Sequence, residues 1–539
     1  MSAARSKPRR VGRHPGKRLS PWRVLLGITI VLVAIAAAVA GPWYAQLNAP
    51  TREAEAGPRW AGGYFDVTAA HVTASATIGD GTDGAVVLAF VVAAASDRCE
   101  PSWGSFYSLS EAGRELDLDR RVDTMRRDGA HVVVSFGGAL NTELASACAT
   151  VPELQAAYRE VLERYNVATI DLDIEGPALA DTEAGARRAA AIARLQSERY
   201  SAEQTLDVWL TLPTTPEGLT SEGLAAIQQL LDAGVILRGV NAMVMDYGVA
   251  LGGRTMGAVA IDALGGIHDQ LTELYGGLRI ALPAGGAWAL MGATPMIGQN
   301  DVTSEVFRVA DAQALSTFAH QVGLARMSLW SLNRDRECGP NYPDVSVVSD
   351  ACSGVRQDPR EFDTVLRQGY LDAPEDVATP EPEFTPVPDD PRTAPYPLWE
   401  ADRAYSAGVR VVWHGYVYQA KWWIVGEPEP DDPTQSAEQT SWVLVGAVSV
   451  DDEPFTLPTV PPGTYPEWSA TEVYEAAARV VVDNVPYEAK WWTQGDDPTV
   501  GITDYDRSPW RVVDDYVAED TDAGTDAASD DEAAGDTAE

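Results

Sequence analysis

Between Ala168 and Gly176 the chain reads Ala-Thr-Ile-Asp-Leu-Asp-Ile-Glu-Gly, with Asp171, Asp173 and Glu175 at every second position and Ile170, Leu172 and Ile174 between them. A period of two is that of a β-strand, so the three carboxylates share one face and the aliphatic side chains share the other. Like charges about 7 Å apart along a strand repel, and each is costly to desolvate. Such crowding raises the pKa of one member until it holds a proton near neutral pH, as a general acid must. A solvent-facing acidic edge strand is the bland alternative. It gives no reason for the aliphatic face behind the acids, nor for the Gly176-Pro177 turn straight after them. The segment is read as catalytic.

The elements that position it follow from the alternation of short apolar runs with helical patterns between residues 58 and 370. Strands are expected near Trp60–Phe65, Ala85–Val92, His131–Phe136, Thr169–Glu175, Asp207–Leu212, Gly239–Met245, Leu278–Leu282 and Met327–Leu332, with helix-like stretches such as Pro152–Tyr165 and Gly185–Ser201 between them. Eight strand–helix units predict an α/β fold, the (β/α)8 TIM barrel, whose chemistry sits at the C-terminal ends of the strands, where Glu175 falls. An open doubly wound sheet is the runner-up, disfavoured because no glycine-rich phosphate loop follows the first strand.

The formal charge is −39, yet residues 1–23 carry eight Lys or Arg and no acid. So acidic a body argues against a nucleic-acid partner and suits a neutral polymer. Residues 24–43 open with the uncharged run Val24 to Ala40 and read as a membrane anchor with the basic segment left in the cytoplasm. Ala38-Val39-Ala40 also resembles a signal-peptidase site, so cleavage after Ala40 is the second reading. Both readings export the body, anchored at the cell surface or secreted. Four cysteines allow three pairings, of which Cys99–Cys148 and Cys338–Cys352 are expected in an oxidising compartment. No Cys/His cluster has metal-ligand spacing, and neither a metal nor another cofactor is expected.

Residues 371–396 and 447–464 are rich in Pro and acid and read as linkers, and residues 514–539, with eleven acids and no base, as a disordered tail. An internal repeat occupies 397–446 and 465–513. Trp399, Tyr405, Tyr418, Trp422, Trp423 and Trp442 recur as Trp468, Tyr474, Tyr487, Trp491, Trp492 and Trp510, 69 residues on, or 68 for the last. Units of about 45 residues cannot bury so many large aromatics, so some should stay exposed as platforms for pyranose rings. Both copies are read as small all-β sugar-binding modules.

Residues 58–370 resemble the chitinase-like glycoside hydrolases of family 18, through Ser135-Phe-Gly-Gly138, the Asp171-x-Asp-x-Glu175 strand, Met243-Val-Met-Asp-Tyr247 and Trp330 in Leu329-Trp-Ser-Leu-Asn-Arg334. The repeats, each with an Ala-Lys-Trp-Trp core, look like type-3 chitin-binding domains of carbohydrate-binding module family 5/12. The chain departs from the first pattern at Ala168, where the family has aspartate, and at Tyr247, displaced from beside Met243-Val-Met245-Asp246; in the second module Ala477 stands where the first has Gly408. The resemblance implies a monomeric enzyme acting on chitin or chito-oligosaccharides. It makes Glu175 the acid and Asp173 the group that orients the substrate acetamide, with Asp171 tuning Asp173 from deeper in the barrel. Asp246 and Tyr247 are implied as acetamide partners, and Trp330 as the floor under the sugar. Which of Met245 and Tyr247 faces the sugar is left open. Trp422, Trp423, Trp491, Trp492, Tyr418 and Tyr487 are the candidate sugar contacts of the modules. A hydrolase of another N-acetylglucosamine-containing glycan and a non-catalytic chitin-binding protein are the alternatives.

Overall fold

The computed structural model describes residues 25–31, 52–69, 84–95, 98–340, 347–370, 389–425, 428–432 and 440–513, with isolated positions 20, 22 and 435. Eight parallel strands close on themselves: β1 (Trp60–Asp66), β2 (Ala85–Ala94), β3 (His131–Gly137), β4 (Thr169–Asp173), β5 (Asp207–Thr215), β6 (Leu237–Met243), β7 (Met291–Thr294) and β8 (Arg326–Met327). Each pairs with its sequence neighbours and β8 pairs back onto β1, the closed (β/α)8 barrel. Helices cover it from outside: α1 (Leu118–Arg127), α2 (Val151–Arg164), α3 (Thr182–Ser201), α4 (Ser221–Asp232), α5 (Met256–Gly277), α6 (Val309–Val322) and α7 (Glu361–Arg367). The crossover from β1 to β2 includes residues 70–83, outside the described set.

Two apolar layers hold the barrel. Alternate residues such as Val86, Leu88, Ile170, Leu172 and Ile174 pack outward against the helices, while Trp60, Val87, Val133 and Trp209 fill the lower interior. The helices begin where the sequence can cap them. Thr150 and Glu153 form a reciprocal capping box at α2, and Thr220 and Thr255 accept the backbone N–H of Gly223 and Ala258 at α4 and α5, satisfying donors that a helix start leaves open.

The seventh strand lies elsewhere than expected. Ile280–Ala281 pairs with Arg52–Glu53 outside the barrel, and the seventh barrel strand is Met291–Thr294. That run, Met-Gly-Ala-Thr, carries little β-forming signal because it is built for space: a Cβ on Gly292 would lie 2.9 Å from Arg326 Cβ and 2.8 Å from Asn241 Oδ1. Room for Arg326 has displaced the residues that make a strand recognisable.

Disulfides join Cys99 to Cys148 and Cys338 to Cys352, the expected pairs. The helical stretch 25–31 belongs to the candidate anchor 24–43, the rest of which lies outside the described residues, as do 371–388 and 514–539. Among the described residues no helix is long and apolar enough to cross a membrane.

The repeats fold as two small antiparallel units. The first has the sheet Arg410–Trp413, Tyr416–Ala420 and Trp442–Ala447, the second Arg479–Val482, Val485–Ala489 and Trp510–Val512. The first sits on α1: Arg120 donates to Asp452 at 2.8 Å, and Tyr396 Oη to Asp117 at 2.8 Å. The second joins the first through Ser406 N–H to Thr503 O and Tyr505 Oη to Ala407 O, at 2.8 and 2.7 Å.

Gly292→Ala is expected to destabilise the barrel by about 1–3 kcal/mol, the usual penalty of overpacking. Calorimetry should show the barrel's transition at a lower temperature, and an unchanged transition would contradict this packing of β7 against Arg326.

Candidate active site

The three acids of β4 and the residues just after it are chemically alike, and depth separates them. Asp171 is fully buried, Asp173 is 4 % exposed and Glu175, just past the strand, is half-buried. Pairing of β4 with β3 and β5 sets Ser135 and Trp209 beside Asp171, and Gly137 and Thr211 beside Asp173.

Asp171 is ringed by donors. Its Oδ1 accepts from Thr211 Oγ1 and Arg326 Nη1, each at 2.6 Å, and its Oδ2 from Ser135 Oγ at 2.7 Å and Tyr64 Oη at 2.8 Å. Arg326 is as fully buried as its partner. Asp173 is treated differently: its Oδ1 is buried with no hydrogen-bond partner. Burial first, then the charges of Glu175 and Asp171, hold its pKa well above the ordinary carboxylate range, while Arg326 pulls weakly the other way. Glu175 is pushed up to about 7, chiefly by desolvation and then by Asp246 and Asp301. A carboxylic acid whose pKa lies near neutral pH and which faces open space is equipped for general acid catalysis.

That space is a cavity of about 590 Å³ at the C-terminal end of the barrel, reached by Asp173, Glu175, Asp246, Asp301, Met245 and Trp330. Trp330 stacks on Phe90 with ring centres 5.3 Å apart and meets Tyr64 edge-on at 6.0 Å, so the cavity has an aromatic wall suited to the apolar face of a sugar. Asp246 is fixed by the loop after β7, where its Oδ1 accepts from the Val302 N–H at 2.8 Å. Burial raises its pKa above the usual value for an aspartate.

Met245 lines the cavity and Tyr247 does not. Tyr247 packs into the core between barrel and helices, and its backbone N–H donates to Glu305 Oε2 at 3.0 Å. In a regular strand residues 245 and 247 share a face. Asp246, at φ 47°, lies in the left-handed region and breaks that parity. The tyrosine that does reach the cavity is Tyr64 of β1. Tyr64, Thr211, Arg326 and Asp301 were not singled out by sequence reasoning. Arg326 alone left a trace, as one charge among apolar residues in Leu324-Ala-Arg-Met327.

In the modules, Tyr418 and Tyr487 are buried in the two cores, so neither offers a ring to a ligand. Trp422, Trp491 and Trp492 are exposed, by 46 %, 46 % and 56 %. Trp423 is covered by the guanidinium of Arg507 from the second module, 3.7 Å from its ring centre.

No family model matches the chain. Over 261 residues it is 35 % identical to a probable bifunctional chitinase/lysozyme of Escherichia coli (strain K12), a match covering 47 % of this chain and 28 % of that protein. Over 255 residues it is 34 % identical to endochitinase 11 of Metarhizium anisopliae, covering 46 % and 47 %. The chain therefore spans less than half the length of these curated relatives. Among solved structures, the catalytic domain of a hyperthermophilic chitinase from Pyrococcus furiosus is 27 % identical with a TM-score of 0.49, covering 60 % of this chain and 96 % of that one.

Infrared titration of the substrate-free protein should find Glu175 losing its proton near pH 7, a transition absent in Glu175→Gln. Each neighbouring anion favours the protonated form, so Asp301→Asn should move the midpoint to lower pH. A midpoint that stays in place would remove Asp301 from the site's electrostatics.

Proposed function

We propose that this chain is a glycoside hydrolase of the chitinase type, cutting β-1,4 bonds between N-acetylglucosamine units with retention of configuration. The observation that carries this reading is the graded carboxylate row, Asp171 enclosed by four donors, Asp173 buried with its pKa held well above the carboxylate range and Glu175 at about 7, opening into a cavity with an aromatic wall. The names of the two curated relatives support the substrate class.

In this mechanism the substrate helps itself, an exception among retaining enzymes. Glu175 gives its proton to the glycosidic oxygen as the bond to the leaving sugar breaks. The carbonyl oxygen of the 2-acetamido group attacks the anomeric carbon and forms an oxazolinium ion. The unpartnered Oδ1 of Asp173 accepts the acetamide N–H, which turns that carbonyl toward its target. Trp330 supports the sugar ring from below. Glu175, now a carboxylate, takes a proton from the water that opens the intermediate.

The two small units act as chitin-binding modules through Trp422, Trp491 and Trp492. The protein works outside the cytoplasm, held by residues 24–43 or released after Ala40, and the two disulfides suit an oxidising compartment.

Glu175→Gln should lower release of reducing ends from colloidal chitin by about 10²–10⁴-fold and leave chitin binding intact. Undiminished release would sink the assignment. Replacing Trp422, Trp491 and Trp492 together by alanine should weaken retention on insoluble chitin, since each stacked ring contributes about 1 kcal/mol, and leave hydrolysis of short soluble oligomers unchanged. Equal loss on both substrates would show that these rings serve the fold.

A further inference from the structure

We propose that the tandem units are a receiver and a plug: Arg507 of the second caps Trp423 of the first, so that a glycan chain reaches that ring only by displacing the guanidinium, while the matching ring, Trp492, stands open. The sugar half of this inference rests on the reading of both units as chitin-binding. The cap itself does not.

The junction that sets Arg507 in place is built from residues the repeat does not share. Ser406 lies at its centre, fully buried. Its backbone N–H donates to Thr503 O at 2.8 Å and its hydroxyl to Asp504 Oδ1 at 3.0 Å, while the hydroxyl oxygen accepts the Asp506 N–H at 3.2 Å. Arg403 donates from Nε to Thr503 Oγ1 at 3.0 Å and from Nη2 to Thr499 O at 3.2 Å. Tyr505 Oη adds a bond to Ala407 O at 2.7 Å. In the second unit, 69 residues on, Glu472 and Glu475 stand where the first has Arg403 and Ser406. An ionised acid has no hydrogen to give to a carbonyl or a carboxylate, so the second unit cannot receive a neighbour as the first does. The contact runs one way.

At the end of that pinned segment the guanidinium of Arg507 lies 3.7 Å from the ring centre of Trp423, which leaves no room for a pyranose on the same face. Arg507 is itself exposed, and a cation–π contact at the surface is weak enough for a ligand to displace. The cap also has a cost. Trp423 is half-buried, and its Nε1–H is shut from water with no acceptor among the described residues. Opening the cap lets that N–H donate to water or to a sugar oxygen. The repeat supplies its own control: the preceding tryptophans, Trp422 and Trp491, are each 46 % exposed, whereas Trp492, the counterpart of the capped ring, is 56 % exposed. The inequality is confined to the position that Arg507 covers.

The test uses the full chain carrying Glu175→Gln, with and without Arg507→Ala. Hydroxyl-radical footprinting without any sugar should find Trp423 oxidised more slowly than Trp492, with Trp422 and Trp491 alike, and Arg507→Ala should abolish the difference. Equal oxidation of Trp423 and Trp492 in the chain that keeps Arg507 overturns the cap. On insoluble chitin, Arg507→Ala should raise affinity about two- to fivefold, the value of a surface cation–π contact, and Arg507→Lys should raise it less. Trp423→Ala should cost little while Arg507 is present, and as much as Trp492→Ala once Arg507→Ala has removed the cap. Unchanged affinity in Arg507→Ala, with Trp423 opened to the radical, overturns the sugar half. If no variant is retained on chitin, the chitin-binding reading falls and the sugar half with it, while the footprint still decides the cap.

Discussion

The ion pair of Asp171 and Arg326, closed off from water inside the barrel, is the constraint to which the rest of the structure answers. Desolvating both charges uses up much of their mutual attraction, so such a pair is weak evidence for stability, while removing one partner typically costs about 3–5 kcal/mol. A fold that keeps the pair must satisfy every remaining lone pair and N–H. This one recruits Tyr64 from β1, Ser135 from β3, Thr211 from β5 and Ser328 just past β8. Asn241 of β6 holds Thr211 in turn and is itself held by Thr294 of β7. Each polar residue in this layer is explained by the two charges at its centre, and so is the missing side chain at Gly292.

The pair also sorts the chemistry above it. Three carboxylates on one strand begin with nearly the same affinity for protons, and the barrel separates them by environment. The deepest faces four donors, one of them the Arg326 guanidinium. The middle one is buried above it, with one oxygen left unpartnered, and holds its proton. The outermost meets the cavity and two further acids and sits at about 7. The gradient runs along the β4 axis, so a strand of period two is sufficient scaffold for it. The apolar face of the same strand, Ile170, Leu172 and Ile174, anchors it to the helices outside.

This division explains what could be read from sequence. Local patterns were legible: the alternation that builds β4, the strand–helix rhythm of the barrel and the cysteine pairs. What joins distant strands was not, because Arg326 and Asp171 are 155 positions apart and Tyr64 and Asp171 are 107 apart, and no periodicity links them. Where local structure breaks its own rule, local reading also fails. The left-handed Asp246 sends Tyr247 into the core although residue parity places it beside Met245. The seventh strand is obscured because its residues were chosen for the room they leave.

The repeats carry the same lesson at the level of domains. Their sequences are equivalent position by position, which suggests two equal, independently tethered binders whose gain comes from effective concentration. The contacts make them unequal. The Ser406–Ala407 turn of the first unit joins the Thr503–Tyr505 segment of the second, and Arg507 closes over Trp423, while its counterpart Trp492 stays open. The first unit is in turn fixed to α1 through Arg120, Asp117, Tyr396 and Asp452. Docking removes the entropy of a loose tether, and it also removes the freedom to reorient. Units held in this way present their exposed tryptophans only in the one orientation that α1 imposes. Arg120, Asp117 and Arg507 therefore fix where the exposed tryptophans point, a property invisible in either unit taken alone.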